Sequence, residues 1–114
     1  MRVRILMFSA VGVQTTDMLT SKDGMTLYVF DMDKDGMSTC YGDCAEMWPA
    51  YCGKEGDEMM RDWTLVKRTD GTMQWAYDGK PLYFFASDKS KGDMIGDGVD
   101  GVWHIIKEFP RIEG

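Results

Sequence analysis

The chain has 114 residues, which suits one domain, and 44% of them are hydrophobic, enough for a core of its own. Its formal net charge is −6, and fourteen of the nineteen acidic residues are aspartate, a residue typical of turns. An acidic chain without a clustered basic face argues against nucleic acid and against anionic membrane surfaces as partners. No transmembrane segment is expected, because the apolar run at 5–11 is too short to span a bilayer.

The first half is predicted to be extended. Residues 1–13 carry a basic and then an apolar stretch, which fits either the remnant of a signal peptide or a strand of the domain, and we expect a strand. Another strand is predicted over 25–30, where successive side chains point to opposite sides. The two faces of this strand carry Leu27 with Val29 and Tyr28 with Phe30.

A short helix is predicted near the middle of the chain. Asp43 is suited to cap it, since an aspartate at this place accepts hydrogen bonds from the first free N–H groups. Pro49 discourages its continuation beyond Trp48. Residues 50–62 are polar and irregular, with one helical turn predicted around 58–60.

The second half is predicted as a hairpin, a long loop and a last strand. Asp78-Gly79 is a two-residue turn of the kind that hairpins prefer, between strands at 72–77 and 82–86. The last strand is predicted at 102–107. The expected fold is mostly β: a single antiparallel, barrel-like domain over 1–114, with about seven or eight short strands and one short helix.

One stretch of the chain occurs twice. Residues 23–34 recur without gaps at 78–89, an offset of 55, with seven of twelve positions identical. The same offset carries Trp48 onto Trp103. The chain is therefore predicted to consist of two related halves, at about 20–49 and 75–104.

Each copy contains the pattern Tyr-x-Phe-x-x-Asp. Its members are Tyr28, Phe30 and Asp33 in the first copy and Tyr83, Phe85 and Asp88 in the second. As a scaffold, the aromatic rings would pack, the tyrosine hydroxyls would find buried partners, and the aspartates would accept backbone N–H groups in the following turn. The alternative is a shared ligand site where the two copies meet, with Trp48 and Trp103 beside it.

At these residues the chain resembles the bacterial secreted repeat, or predicted lipoprotein, family that is defined by a Tyr-x4-Asp motif. The resemblance implies a protein of the bacterial cell envelope, periplasm or secreted space, and it implies no reaction. The chain departs from the family pattern in an extra Cys52, in its many methionines and in lacking a lipid-attachment cysteine. The matching segments are 22–33, 40–49, 75–88 and 98–104.

Three cysteines lie within thirteen residues. A disulfide between Cys40 and Cys44 is the favoured interpretation, since it would fasten the loop to the helix in an oxidising compartment; a Cys44–Cys52 pair is the alternative. The competing hypothesis is a Cu(I) site, because thiolate and thioether ligands select that ion. Its candidate ligands are Cys40, Cys44, Cys52, Met47 and His104.

A calcium loop is a third hypothesis. Asp31, Asp33 and Asp35 followed by Gly36 fit the opening of such a loop, although the twelfth position is Gly42 where a glutamate would be expected. His104, the only histidine, is expected to be a structural hydrogen-bonding residue.

Function is therefore predicted to be non-enzymatic: a binding or interaction domain whose partner is an envelope protein or a small ligand. An enzyme would need a concave site that holds an acid or a thiolate with a shifted pKa.

Overall fold

The structure, a computed structural model, describes residues 18–57, 59 and 62–107. The regular elements of this part are short, as expected for a chain rich in Asp-Gly turns. They are the strands β1 (Tyr28–Phe30), β2 (Cys52–Gly53), β3 (Trp63–Lys67), β4 (Met73–Tyr77), β5 (Lys80–Pro81) and β6 (Trp103–Ile105), the helix α1 (Asp43–Met47), and a 3-10 turn at Val99–Gly101.

All pairing between these strands is antiparallel. Strand β1 pairs with β6, so that the first described strand of the chain joins the last. Strand β4 lies between β2 and β3 and also pairs with β5. The prediction of a mostly β, antiparallel fold with two related halves is confirmed. Its barrel-like aspect is wrong, since the described strands form two open sheets.

The two predicted faces of β1 are confirmed. Tyr28 and Phe30 pack in a cluster with both repeated tryptophans, whereas Leu27 and Val29 pack in a second cluster on the other side. The first cluster takes residues from both halves, so the halves share a core. The extent of a single domain over 1–114 stays a prediction, because 1–17 and 108–114 lie outside the described residues.

The hairpin of the second half has different bounds from those predicted. Asp78 and Gly79 form the turn, but the return strand is Lys80–Pro81 instead of 82–86. Leu82 still donates its N–H to the Trp75 carbonyl of β4, but the backbone of Tyr83 bridges instead to Tyr28 and Ala50. The prediction of a strand at 82–86 is therefore wrong.

The helix α1 occupies the predicted place but is not capped as predicted. Asp43 is its first residue, Gly42 is the N-cap with a φ of 60°, and no side chain caps the helix. Strand β2 was not predicted; it forms because Cys52 and Gly53 pair with the edge of β4. The strand predicted within residues 1–13 lies outside the described part, and so do residues 58 and 60 of the predicted helical turn.

Candidate functional site

The repeated tyrosines and aspartates pair across the two halves. The Tyr28 hydroxyl donates to Oδ2 of Asp88 at 2.7 Å, and the Tyr83 hydroxyl donates to Oδ2 of Asp33 at 2.8 Å. The two tyrosine backbones also face each other, with N–H to C=O bonds of 2.8 and 2.9 Å in the two directions. Each copy of the motif is therefore completed by the other copy.

Each aspartate is held by the turn that follows its strand. The Asp33 N–H donates to the Phe30 carbonyl, and the Asp88 N–H donates to the Phe85 carbonyl. The second carboxylate oxygens accept backbone N–H groups from the next loop, at 2.8 Å for Asp33 and 3.1 Å for Asp88; the donors are Thr39 and Ile95. The predicted role of the aspartates as turn acceptors is confirmed.

The two phenylalanines of the motif and the two repeated tryptophans stack in one column. Trp48 and Trp103 stack with centroids 3.8 Å apart and planes at 1°. Phe30 stacks on the outer face of Trp103 at 4.1 Å, and Phe85 stacks on the outer face of Trp48 at 4.2 Å. We call these four residues the aromatic column. Sequence analysis placed the tryptophans beside the motif but did not predict that they touch.

Burial controls the chemistry of both tyrosines. Tyr28 and Tyr83 are fully buried. For Tyr28, burial and then the hydrogen bond to Asp88 raise the pKa of the hydroxyl well above its ordinary value. For Tyr83, burial and then the negative charge of Asp33 raise the pKa in the same direction. Both hydroxyls are neutral and inaccessible, so neither can meet a substrate.

The surroundings of the two tyrosines differ. The Tyr28 hydroxyl accepts the backbone N–H of Gly96 at 3.1 Å. The corresponding partner of the Tyr83 hydroxyl is Ser38, with 2.6 Å between Ser38 Oγ and the Tyr83 hydroxyl oxygen. Because an ionised carboxylate only accepts, Tyr83 donates to Asp33 and accepts from Ser38.

Ser38 is hydrogen-bonded to the buried guanidinium of Arg68. Nη1 of Arg68 donates to Ser38 Oγ at 3.0 Å and to Oε1 of Gln74 at 2.8 Å, while Nη2 donates to the carbonyl of Cys40 at 2.9 Å. Arg68 is 6% exposed, and its nearest acid in an ion pair is Asp70, with 3.7 Å between Nε and Oδ2. We call Ser38, Arg68 and Gln74 the arginine network; sequence reasoning missed it.

A family model described as a secreted repeat of unknown function matches residues 13–51 and 64–107. The two matched regions cover most of the chain and coincide with its two halves. The chain belongs to this family of secreted repeats. No curated protein and no solved structure matches it. Within the described residues of this secreted repeat, no helix is long and apolar enough to cross a membrane.

The secreted repeat carries one disulfide in its described part. Cys40 and Cys44 are joined, with 2.05 Å between the sulfurs, as favoured from the sequence. The alternative pairing with Cys52 is wrong, since Cys52 is a free and exposed thiol. The disulfide leaves Cys52 as the free thiol of the Cu(I) hypothesis in the described part, and Cu(I) binding stays a prediction.

The cysteine and histidine ligands of the Cu(I) hypothesis form no cluster in the described part of the chain. Among the described residues of the secreted repeat, no group of three or more His, Cys, Asp or Glu side chains could hold a metal ion. Nε2 of His104 lies 2.8 Å from Oδ2 of Asp31, and both side chains are about half exposed. His104 is therefore a hydrogen-bonding residue, as expected. Another candidate ligand, Asp33, accepts a hydrogen bond from the Thr39 hydroxyl through Oδ1 at 2.8 Å.

The three aspartates of the calcium hypothesis line a cleft of about 260 Å³ between the loop after β1 and the hairpin turn. Phe30 and Lys80 also line it. Calcium would have to compete there for Asp33, whose oxygens already hold Thr39 and Tyr83. Calcium binding by this secreted repeat stays a prediction.

Proposed function

We propose that this secreted repeat is a non-catalytic binding domain of the bacterial cell envelope, and that its partner is another envelope protein. The observation that carries the proposal is the cross-pairing of the repeated polar groups. Tyr28 and Tyr83 each hydrogen-bond the aspartate of the opposite half and are fully buried. Because these hydroxyls are buried and already hydrogen-bonded, the motif has a structural role, and we expect the loops to recognise the partner.

The loops that follow the two motif copies carry four of the six exposed large apolar side chains of the described part. Ile95 is 60% exposed, and Met32 is 55% exposed. They lie on the loops after Phe85 and after β1. Flexible, polarisable methionine side chains are common on surfaces that bind other proteins. The cleft beside Lys80 has a volume of about 260 Å³, slightly below the roughly 300–1,000 Å³ of typical small-molecule sites.

The test is site-specific photo-crosslinking in the cell envelope. A photoreactive residue at Ile95 is compared with one at Glu55, which is exposed but lies in the turn after β2. We expect discrete adducts from position 95, absent from position 55, with the same partner recovered when the photoreactive residue is moved to Met32. Equal crosslinking from all three positions, or none from any of them, contradicts the proposal.

Cu(I) handling is the second candidate. It is favoured by exposed thioethers, at Met47 (51%) and Met94 (41%), together with the free thiol of Cys52. Competition against a chromophoric Cu(I) chelator tests it, with the Cys52→Ser variant as the matched control. Binding that weakens in this variant supports a thiolate ligand. Failure of the unsubstituted protein to compete removes the candidate.

Calcium is tested separately by calorimetry. Heat that disappears in Asp31→Asn and Asp35→Asn variants would establish the loop as a site, whereas a flat titration at millimolar calcium, about the affinity range of extracellular sites, would remove it.

A further inference from the structure

Methionine is abundant in this chain and unusually exposed. The sequence contains eleven. Five of the described methionines are between 41% and 55% exposed, whereas Met18 is only 3% exposed. We call the five the exposed methionines. They are Met32, Met37, Met47, Met59 and Met94.

The exposed methionines are not part of the repeated pattern. At an offset of 55 none of them meets another methionine. The methionine that does recur is the buried Met18, which corresponds to the half-buried Met73. The equivalents of Met32, Met37, Met47 and Met94 are Ser87, Gly92, Val102 and Thr39.

The environment of Met18 is the opposite of theirs. It packs in the cluster of the aromatic column, and its sulfur lies 3.6 Å from the hydroxyl oxygen of Thr26, which donates its proton to the Asp93 carbonyl. An oxygen atom added to this sulfur would place a polar group in the core. The exposed methionines belong to neither hydrophobic cluster, so a polar sulfur there remains in contact with water.

We propose that the exposed methionines are a set of oxidation sites for hydroperoxide-class oxidants, and that the folded protein tolerates their oxidation. A lone pair of Sδ attacks one peroxide oxygen, the O–O bond breaks, and an S–O bond forms. The sulfur loses two electrons and becomes a sulfoxide, while hydrogen peroxide is reduced to water after a proton shift. A methionine sulfoxide reductase with a dithiol reductant reverses the change. This inference is independent of the proposed binding function.

The experiment uses the full chain with Cys52→Ser, because the exposed thiol would otherwise react with peroxide and form intermolecular disulfides. The protein is treated with graded hydrogen peroxide, and each methionine is followed by peptide mass spectrometry. Unfolding in urea is measured before and after treatment. The reductase is then added to the oxidised protein.

We expect one added oxygen at each exposed methionine, with Met18 oxidised at least about tenfold more slowly than Met32. The unfolding midpoint should be unchanged, and the reductase should remove the added oxygens. In a control with all five exposed methionines replaced by leucine, oxygen uptake at these positions should vanish, and Met18 should remain protected from oxidation. Oxidation of Met18 at the rate of Met32, a large fall in the midpoint, or failure of the reductase to act would overturn the proposal.

Discussion

Tyr28 and Tyr83 occupy equivalent positions and make equivalent bonds to aspartate, yet one is supported by backbone and the other by side chains. The Tyr28 hydroxyl accepts from the N–H of Gly96, whereas the Tyr83 hydroxyl accepts from Ser38, which accepts from Arg68. The backbone N–H needs no side chain, but its residue must stay small, because a Cβ added to Gly96 would lie 2.7 Å from Trp48 and 2.9 Å from Phe85. The other side depends on particular side chains and is where the halves have become different.

Within the aromatic column, we expect the two halves to contribute equally to the free energy of unfolding. Replacement of Trp48 or Trp103 by alanine should each lower the free energy of unfolding by about 3–5 kcal/mol, since each removes a buried ring with partners on both faces. Urea unfolding followed by circular dichroism measures this. Trp63→Ala is the control, with a smaller expected loss, because Trp63 is only partly buried. A large loss for one column tryptophan and none for the other would break the equivalence.

We expect the arginine network to stabilise the surroundings of Tyr83 and not those of Tyr28. Arg68→Met leaves buried acceptors on Ser38 and Gln74 without a donor, and we expect a loss of about 2–4 kcal/mol in the free energy of unfolding. In double-mutant cycles this loss should couple to Tyr83→Phe and not to Tyr28→Phe. Arg68→Lys should lose less. Equal coupling to both tyrosines would show that the network serves the whole core.

The disulfide also distinguishes the halves, because position 95, which corresponds to Cys40, is isoleucine. Replacing Cys40 and Cys44 together by alanine should lower the free energy of unfolding by about 2 kcal/mol, the loop-closure value for so short a loop. Cys52→Ala is the matched control and should have little effect. A loss well above this value would indicate that the loop also supports Arg68 through the Cys40 carbonyl.

The smallest effect expected is on the pH dependence of stability. Burial raises the pKa of both tyrosines above the ordinary 10.0, so their contribution is complete below that pH and is lost as the pH rises through the pKa of the folded state. Slightly above pH 10 the loss should be less than about 1 kcal/mol for each tyrosine. Urea midpoints at pH 8 and just above 10 measure it. The Tyr28→Phe and Tyr83→Phe double variant should show a smaller decrease than the unsubstituted protein; an identical decrease would contradict the assignment.

Sequence reasoning identified the parts that depend on local pattern. The alternation of side chains predicted the faces of β1, and the repeat predicted the turn-bound aspartates and the equivalence of the two tryptophans, although not their contact. It could not show that Tyr28 bonds Asp88 and not Asp33, because both copies offer the same acceptor at the same spacing. The antiparallel bridge between Tyr28 and Tyr83 brings the two copies together, and it depends on the tertiary fold.

The arginine network was unpredictable for a related reason. Arg68 follows a strand and precedes an Asp-Gly turn, a place where a solvated cation is expected. Its burial depends on Ser38 and Gln74, which lie 30 and 6 residues away in the chain and carry no motif. A buried charge that is satisfied by distant groups leaves no periodic signal in the sequence.

The pairing of β1 with β6 has a consequence for how the protein is made. In the described part of the chain, the strand partner of Tyr28–Phe30 is Trp103–Ile105, which is synthesised much later, and Tyr83 must return to Tyr28 to form the central bridge. A nascent chain that lacks β6 can pair β3 with β4 but cannot complete the shared core. Such distant pairing slows folding, because the ends of a long loop must meet before the contacts between them form. The core between the two halves can therefore close only after both copies of the motif and β6 have emerged from the ribosome.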